Sequence, residues 1–428
     1  MRAPRWLRAL GWLCVLTAGC GYAYLSLDHC GAWTPAGATL QLSKVGSGQF
    51  RAGAARVEIR VPFPAVVAGY GPPRPSVASS TTPLHARALV LEVGGVSVAL
   101  VTADVLLSPD AVADAVRART NVDDVFLAAT HTHSSFGGYD ARWVAQLAGT
   151  GAYDPRMFEA LVAAISSAVQ DAAGRLEPTA AWREEGTSAT LNLARSGSTV
   201  DRTWTHWRFV ASGTAVSDLW LVAGHPTLAG RRPAALDGDY PALAAQTAES
   251  KGHGVTLVVQ SAAGNASTRP EQLPAFLNAW AERPAPSLDA AGPADLSSGV
   301  EVELRVERRQ FTLPRPDATR AVPWVIRAVA DNALCHSFSK SAQVSRIALG
   351  PLQLVGVPFE VTRSAADTLD PGPGVGLVSM VNGYLGYVDD DEAVASGSGE
   401  SKRQLFSSPL RGLLHDAISS EAREPSRR

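Results

Sequence analysis

Two apolar runs, Val96 to Val101 and Val122 to Thr130, flank a helix start at Ser108-Pro109, where a capping serine precedes a proline suited to the first helical position. Strand, helix and strand at that spacing form a βαβ unit, which obliges the chain to build a sheet with parallel neighbours and helices across its face. The pattern continues downstream. Asp154-Pro155 opens a longer helix, with Phe158, Leu161, Val162, Ile165 and Val169 on one stripe and Gly174 near its end. Further strand-like runs are Leu219 to Gly224, Val255 to Gln260 and, after a Gly350-Pro351 turn, Leu352 to Val357. The expectation is an α/β fold of mixed β-sheets flanked by helices, in one large domain over residues 51–405.

These strands stop at residues able to do chemistry. Val125 to Ala129 runs into His131-Thr132-His133, Val222 into His225-Pro226-Thr227, Gln260 into the Gly264-Asn265-Ala266-Ser267 loop, and Val357 into Pro358-Phe359-Glu360. Open α/β sheets bind ligands outside the carboxyl ends of their strands, so His131, His225, Ser267 and Glu360 are expected at one rim. If the strand continues through the His-x-His pair, its period of two puts both imidazoles on one face. Two imidazoles and a carboxylate from separate strands form a catalytic zinc set, with a position left for a water whose pKa the metal lowers. Hydrolysis of an amide or ester follows from such a set. Taken singly, His225 reads equally as a hydrogen-bonded core histidine, and Glu360 as the partner of Arg363.

With 46% hydrophobic and 18% charged residues in 428, the chain has enough apolar material for a large core. The net charge of −2, with arginines greatly outnumbering lysines, gives no basis for nucleic-acid binding. Arg2, Arg5 and Arg8 precede an uncharged stretch from Leu10 to Leu27, which predicts a signal peptide or a membrane or lipid anchor over residues 1–30. Leu16-Thr17-Ala18-Gly19-Cys20 keeps the lipoprotein alternative open. A Gly/Ala/Ser-rich linker is expected over 31–50 and a frayed polar tail over 406–428. Cys14 and Cys20 lie in the Leu10 to Leu27 stretch, which leaves Cys30 and Cys335, either as a disulfide or as two thiols.

The run Ala128-Ala129-Thr130-His131-Thr132-His133-Ser134 with Gly137-Gly138 resembles the central motif of the neutral ceramidases, zinc amidases that cleave the N-acyl bond of ceramide. The resemblance continues in order through Ala52 to Ile59, Gly69-Tyr70-Gly71, His85 to Leu91, Asp104, Asn192 to Ser196, His225-Pro226-Thr227, Asp239-Tyr240-Pro241, Gly264 to Ser267, Val357 to Glu360, and Asn382 to Val388. It spans about residues 50 to 400 and implies a single catalytic domain of the neutral/alkaline non-lysosomal family. By that resemblance zinc is held by His131, His225, Glu360 and Tyr387, while His133, Arg195 and Ser267 are the catalytic or substrate-positioning groups. A guanidinium such as that of Arg195 suits polarising a carbonyl oxygen.

The chain also departs from the family. Asn265 and Thr268 stand where the family has aspartate and proline around the serine, and Gly399-Glu400-Ser401 stands where it has a tyrosine before Glu-Gly. The expected function is zinc-dependent hydrolysis of the N-acyl amide bond of ceramide or a related N-acyl lipid, by an exported protein associated with a membrane surface. The alternatives are a zinc-binding relative without turnover and a zinc esterase on the same scaffold.

Overall fold

The computed structural model describes residues 17–28, 30–187, 192–195, 199–277 and 295–419. Its principal elements are, in chain order, β1 (Ala36–Glu58), β2 (His85–Val93), β3 (Val96–Ala103), α1 (Asp110–Arg117), β4 (Asp124–Ala129), α2 (Pro155–Ala173), β5 (Ala180–Thr187), β6 (Thr203–Ala211), β7 (Thr214–Val222), α3 (Asp239–Ser250), β8 (Val255–Gln260), β9 (Glu301–Thr312), α4 (Arg327–Ser337), β10 (Ser341–Leu349), β11 (Leu352–Val357), β12 (Val375–Ser379) and α5 (Pro409–Ser419).

The large sheet runs β12-β11-β10-β9-β1-β2-β3-β4, and a four-stranded sheet runs β8-β7-β6-β5. The pairs β3–β4, β7–β8 and β11–β12 are parallel, and the others along these paths are antiparallel. This is the expected mixed α/β architecture. The strands β2 and β3 are buried along almost their whole length, because both faces of the sheet are covered. On one face Leu161, Val162 and Ile165 of α2 and Val112 of α1 pack against Val90, Val101 and Leu127. On the other, Leu89, Leu100 and Phe126 meet Phe209, Leu219 and Leu257 of the smaller sheet. The βαβ unit is β3-α1-β4, with its helix starting one residue later than expected: Pro109 takes the cap position and the Ser108 hydroxyl donates to the Met380 carbonyl. The helix opened by Asp154-Pro155 forms as read, and the Asp154 side chain accepts from the Arg156 amide.

Two expected boundaries are corrected. Residues 31–50 are not a linker: from Ala36 they belong to β1, whose first part pairs with β9 and whose second part pairs with β2. Composition read the glycines and serines as a spacer, but backbone hydrogen bonds to a strand far away in sequence decide the matter. Nor is 406–419 frayed. Phe406 is buried, and α5 buries Leu410, Leu414, Ala417 and Ile418, a helical stripe hidden among polar neighbours. Residues 1–16 and 420–428, including most of the leader, lie outside the described residues; residues 17–26 are helical. Cys30 and Cys335 form a disulfide.

The small sheet carries a buried ionic cluster on β6 and β7. Asp218 accepts from Arg208 and sits 3.0 Å from His206 and 2.7 Å from His253, while His206 stacks on Trp220. Burial disfavours charging His206, but the Asp218 carboxylate outweighs it and raises the histidine pKa above its ordinary value. A raised histidine pKa stabilises the fold fully below the unfolded value, and that contribution is lost as pH rises through the folded value. The melting temperature should therefore fall more steeply from about pH 6 upward in the native protein than in His206→Gln. Parallel pH profiles in a thermal-melt titration would remove His206 from this role.

Candidate metal centre

The strand ends do meet. Beyond Ala129 the chain stays bonded to the β3 side, Thr130 to the Ala103 carbonyl and His131 to the Val105 carbonyl. There it turns sharply: His131 has a φ of 71°, a left-handed conformation that a non-glycine residue keeps only when its surroundings hold it. The pair therefore converges through a turn rather than through strand alternation. The His133 amide donates to the Pro226 carbonyl, tying this turn to the one that carries His225. His225 in turn bridges to Ser267. Glu360 and Tyr387 sit opposite one another in a short parallel pairing of Glu360–Val361 with Tyr387–Val388.

Each imidazole has its Nδ1 against a backbone carbonyl: His131 on Leu106 at 2.9 Å, His133 on Gly69 at 3.0 Å, and His225 on Ala263 at 2.9 Å. A carbonyl only accepts, so each Nδ1 carries the proton and each Nε2 presents a lone pair. Those lone pairs face one another and a carboxylate. The Nε2 atoms of His131 and His133 are 3.3 Å apart, and the Glu360 Oε2 lies 3.2 Å from the His131 Nε2 and 2.9 Å from the His225 Nε2. Ligand atoms of the three histidines all lie within 4.8 Å of one another. Lone pairs so placed repel unless a cation sits among them, and the donor set of imidazole with carboxylate suits a metal ion. Gly69 permits this approach: at its φ of 113° a Cβ would stand 2.5 Å from the His133 carbonyl oxygen.

The charged form of two of these imidazoles is disfavoured by burial. Burial lowers the His225 pKa to about 4. Burial, with the neighbouring His131 and His225, also lowers His133 well below its usual value. Burial alone would raise Glu360, but His131 and His225 outweigh it and hold the carboxyl well below the ordinary range. Tyr387 is pushed up, first by burial and then by Glu360. Its hydroxyl stands 3.1 Å from the His225 Nε2 and accepts from Arg195 at 3.1 Å. The Arg195 guanidinium also donates to the Gly264 carbonyl and to Glu400.

The expected residues His131, His133, His225, Glu360, Tyr387 and Arg195 are thus brought together. Glu360 does not pair with Arg363, which binds Asp201 and Asp367 instead. Ser267 lies beside His225 along the backbone, but among the described residues its hydroxyl has no hydrogen bond. The substituted neighbours have work of their own. Thr268 donates to the His225 carbonyl at 2.7 Å, and the Asn265 side chain accepts from the Arg363 amide and donates to the Thr199 carbonyl. Sequence reasoning missed Tyr384, whose hydroxyl donates to the Glu360 Oε1 at 2.5 Å. Its only signal was its place in the Asn382 to Val388 motif.

Residues 50–260 match the family model described as neutral/alkaline non-lysosomal ceramidase, N-terminal. That segment belongs to the neutral/alkaline ceramidase family. No curated protein matches the chain in sequence. The ceramidase fold itself is seen in solved structures. One, described as a ceramidase complexed with C2, has a TM-score of 0.71 and 18% identity, covering 86% of this chain and 74% of that one. Another, a neutral ceramidase from Pseudomonas aeruginosa, has a TM-score of 0.67 and 18% identity, covering 86% of this chain and 73% of the other.

Proposed function

We propose that this ceramidase-like protein is a zinc-dependent hydrolase of N-acyl amides, ceramide or a related N-acyl lipid among them. The observation that carries the reading is the meeting of three Nε2 lone pairs with the Glu360 carboxylate beside an apolar cavity of about 360 Å³. His131, His225, Glu360 and Tyr387 would hold the zinc. When bound, it supplies Lewis acidity and a water acidic enough to attack a carbonyl near neutral pH. Arg195 lies against Tyr387, where its guanidinium can stabilise charge developing on the substrate carbonyl oxygen. His133 is the most exposed of the three histidines and stands outside the four zinc-holding groups. With its Nδ1–H committed to Gly69, its Nε2 beside the centre is the ring atom that can take a proton and pass it to the leaving amine. Tyr384 holds Glu360 in place. Leu106, Leu107, Val144 and Phe338 line the cavity and suit an acyl chain.

The test is release of fatty acid from a panel of N-acyl lipids by purified zinc-loaded protein, followed by mass spectrometry. Hydrolysis should rise with acyl length, since each buried methylene contributes about 0.8 kcal/mol. Stoichiometric zinc with no hydrolysis of any amide would leave a binding protein. Faster turnover of matched esters with amides inert would make it an esterase.

The same proposal places the protein outside the cytoplasm at a membrane surface. A disulfide joining Cys30 to Cys335 favours an oxidising compartment. Trp324, 86% exposed, sits with exposed Val325 and Ile326 in one apolar segment, the type of side chain that settles at a lipid interface. Among the described residues no helix is long and apolar enough to cross a membrane. Recovery of the protein reduced and in the cytoplasm would reject this location.

A further inference from the structure

We infer that, among N-acyl amides, the site prefers one whose headgroup carries a negative charge and that Lys402 recognises that charge. The inference rests on the N-acyl hydrolase reading, and it concerns the end of the substrate opposite the acyl chain.

Part of the cavity wall is apolar, but the turn Ser401–Arg403 brings Lys402 and Arg403 into the same cavity as His131, His133 and Glu360. Arg403 is set directly at the centre, its guanidinium carbon 5.6 Å from the Tyr387 ring. The charges nearby do not cancel. Arg142, also on the wall, is answered by Asp140 at 2.6 Å. Glu400 is buried and is shared by Arg195 and Arg403, so one carboxylate serves two guanidiniums. Lys402 has no carboxylate within ion-pair reach among the described residues. Asp389 lies behind the turn, on the Glu400 amide. The residues that line the cavity beyond the ligand set therefore carry the cations Arg142, Lys402 and Arg403 and no carboxylate, at the mouth of a site that would also hold a divalent cation.

A neutral headgroup leaves Lys402 unanswered, whereas a carboxylate or phosphate beside the scissile amide meets it with charge-assisted hydrogen bonds. Within the turn the Ser401 hydroxyl is committed to the Ser398 carbonyl, so recognition from it falls to Lys402 and Arg403, and of these two only Lys402 has no ion-pair partner among the described residues.

Calorimetry on the metal-free protein tests this without relying on turnover, using N-dodecanoylglycine, N-dodecanoylethanolamine and dodecanoate. The acylglycine should bind about tenfold more tightly than the neutral amide, the scale of one charge-assisted contact. In Lys402→Ala the two affinities should converge, and in Lys402→Glu the order should reverse. Equal affinities in the native protein, a preference that survives Lys402→Ala, or no binding of either amide overturns the inference. So does dodecanoate binding as tightly as the acylglycine, because the charge would then belong at the acyl end. The same pair of amides is offered to zinc-loaded protein to separate the two readings. Selective binding without hydrolysis sinks the hydrolase reading and leaves the anionic headgroup standing, while hydrolysis of both amides with equal affinities sinks the headgroup alone.

Discussion

His225→Ala is expected to lose zinc and turnover together. The ring is fully buried, its Nδ1 is fixed by the Ala263 carbonyl, and its Nε2 lies 2.9 Å from Glu360. Changing a mere outer-shell partner of a metal site costs tenfold to a hundredfold in affinity, so removing a ligand should weaken zinc binding by more than about a hundredfold. Hydrolysis should then fall at least about a thousandfold, since the ion contributes several kcal/mol of transition-state stabilisation. Metal content after dialysis and fatty-acid release measure the two effects. A variant that keeps one zinc per chain would remove His225 from the ligand set. His133→Ala divides two roles by the same assay: zinc kept with turnover lost marks proton transfer, and zinc lost marks a ligand.

Arg195→Ala should lower kcat by about a hundredfold to a thousandfold, the cost of removing a donor aimed at a developing oxyanion, while zinc content stays the same. Lysine should not restore the rate. The guanidinium reaches Glu400, the Gly264 carbonyl and the Tyr387 hydroxyl at once, a fork that a single ammonium cannot span. Thermal melting should shift little, because Glu400 keeps Arg403 as a partner. A large fall in melting temperature, or loss of zinc, would show that Arg195 holds the loops together instead.

The mixed α/β fold was legible in short patterns. A strand such as Val255 to Gln260, or the stripe from Leu161 to Val169, is set by the period of its apolar residues, and that period is a local property. Legible too were the chemical residues at the strand ends, because polar side chains after an apolar run mark the rim of a sheet. The linker and tail were misread for the same reason that the strands were not. Composition near Gly46 or Arg411 speaks of nearest neighbours, whereas the partners of β1 and the core under α5 come from distant parts of the chain.

What only the tertiary structure decided is how those residues face one another. The left-handed turn at His131, the carbonyls that fix which imidazole nitrogen carries a proton, the Tyr384 hydroxyl on Glu360 and the placement of Lys402 in the same cavity all arise between segments far apart in sequence. The sequence determines which groups are available at each strand end. Hydrogen bonds and packing across the sheets determine where their lone pairs and charges point, and that direction makes a cation site out of residues that singly fit a core or a salt bridge.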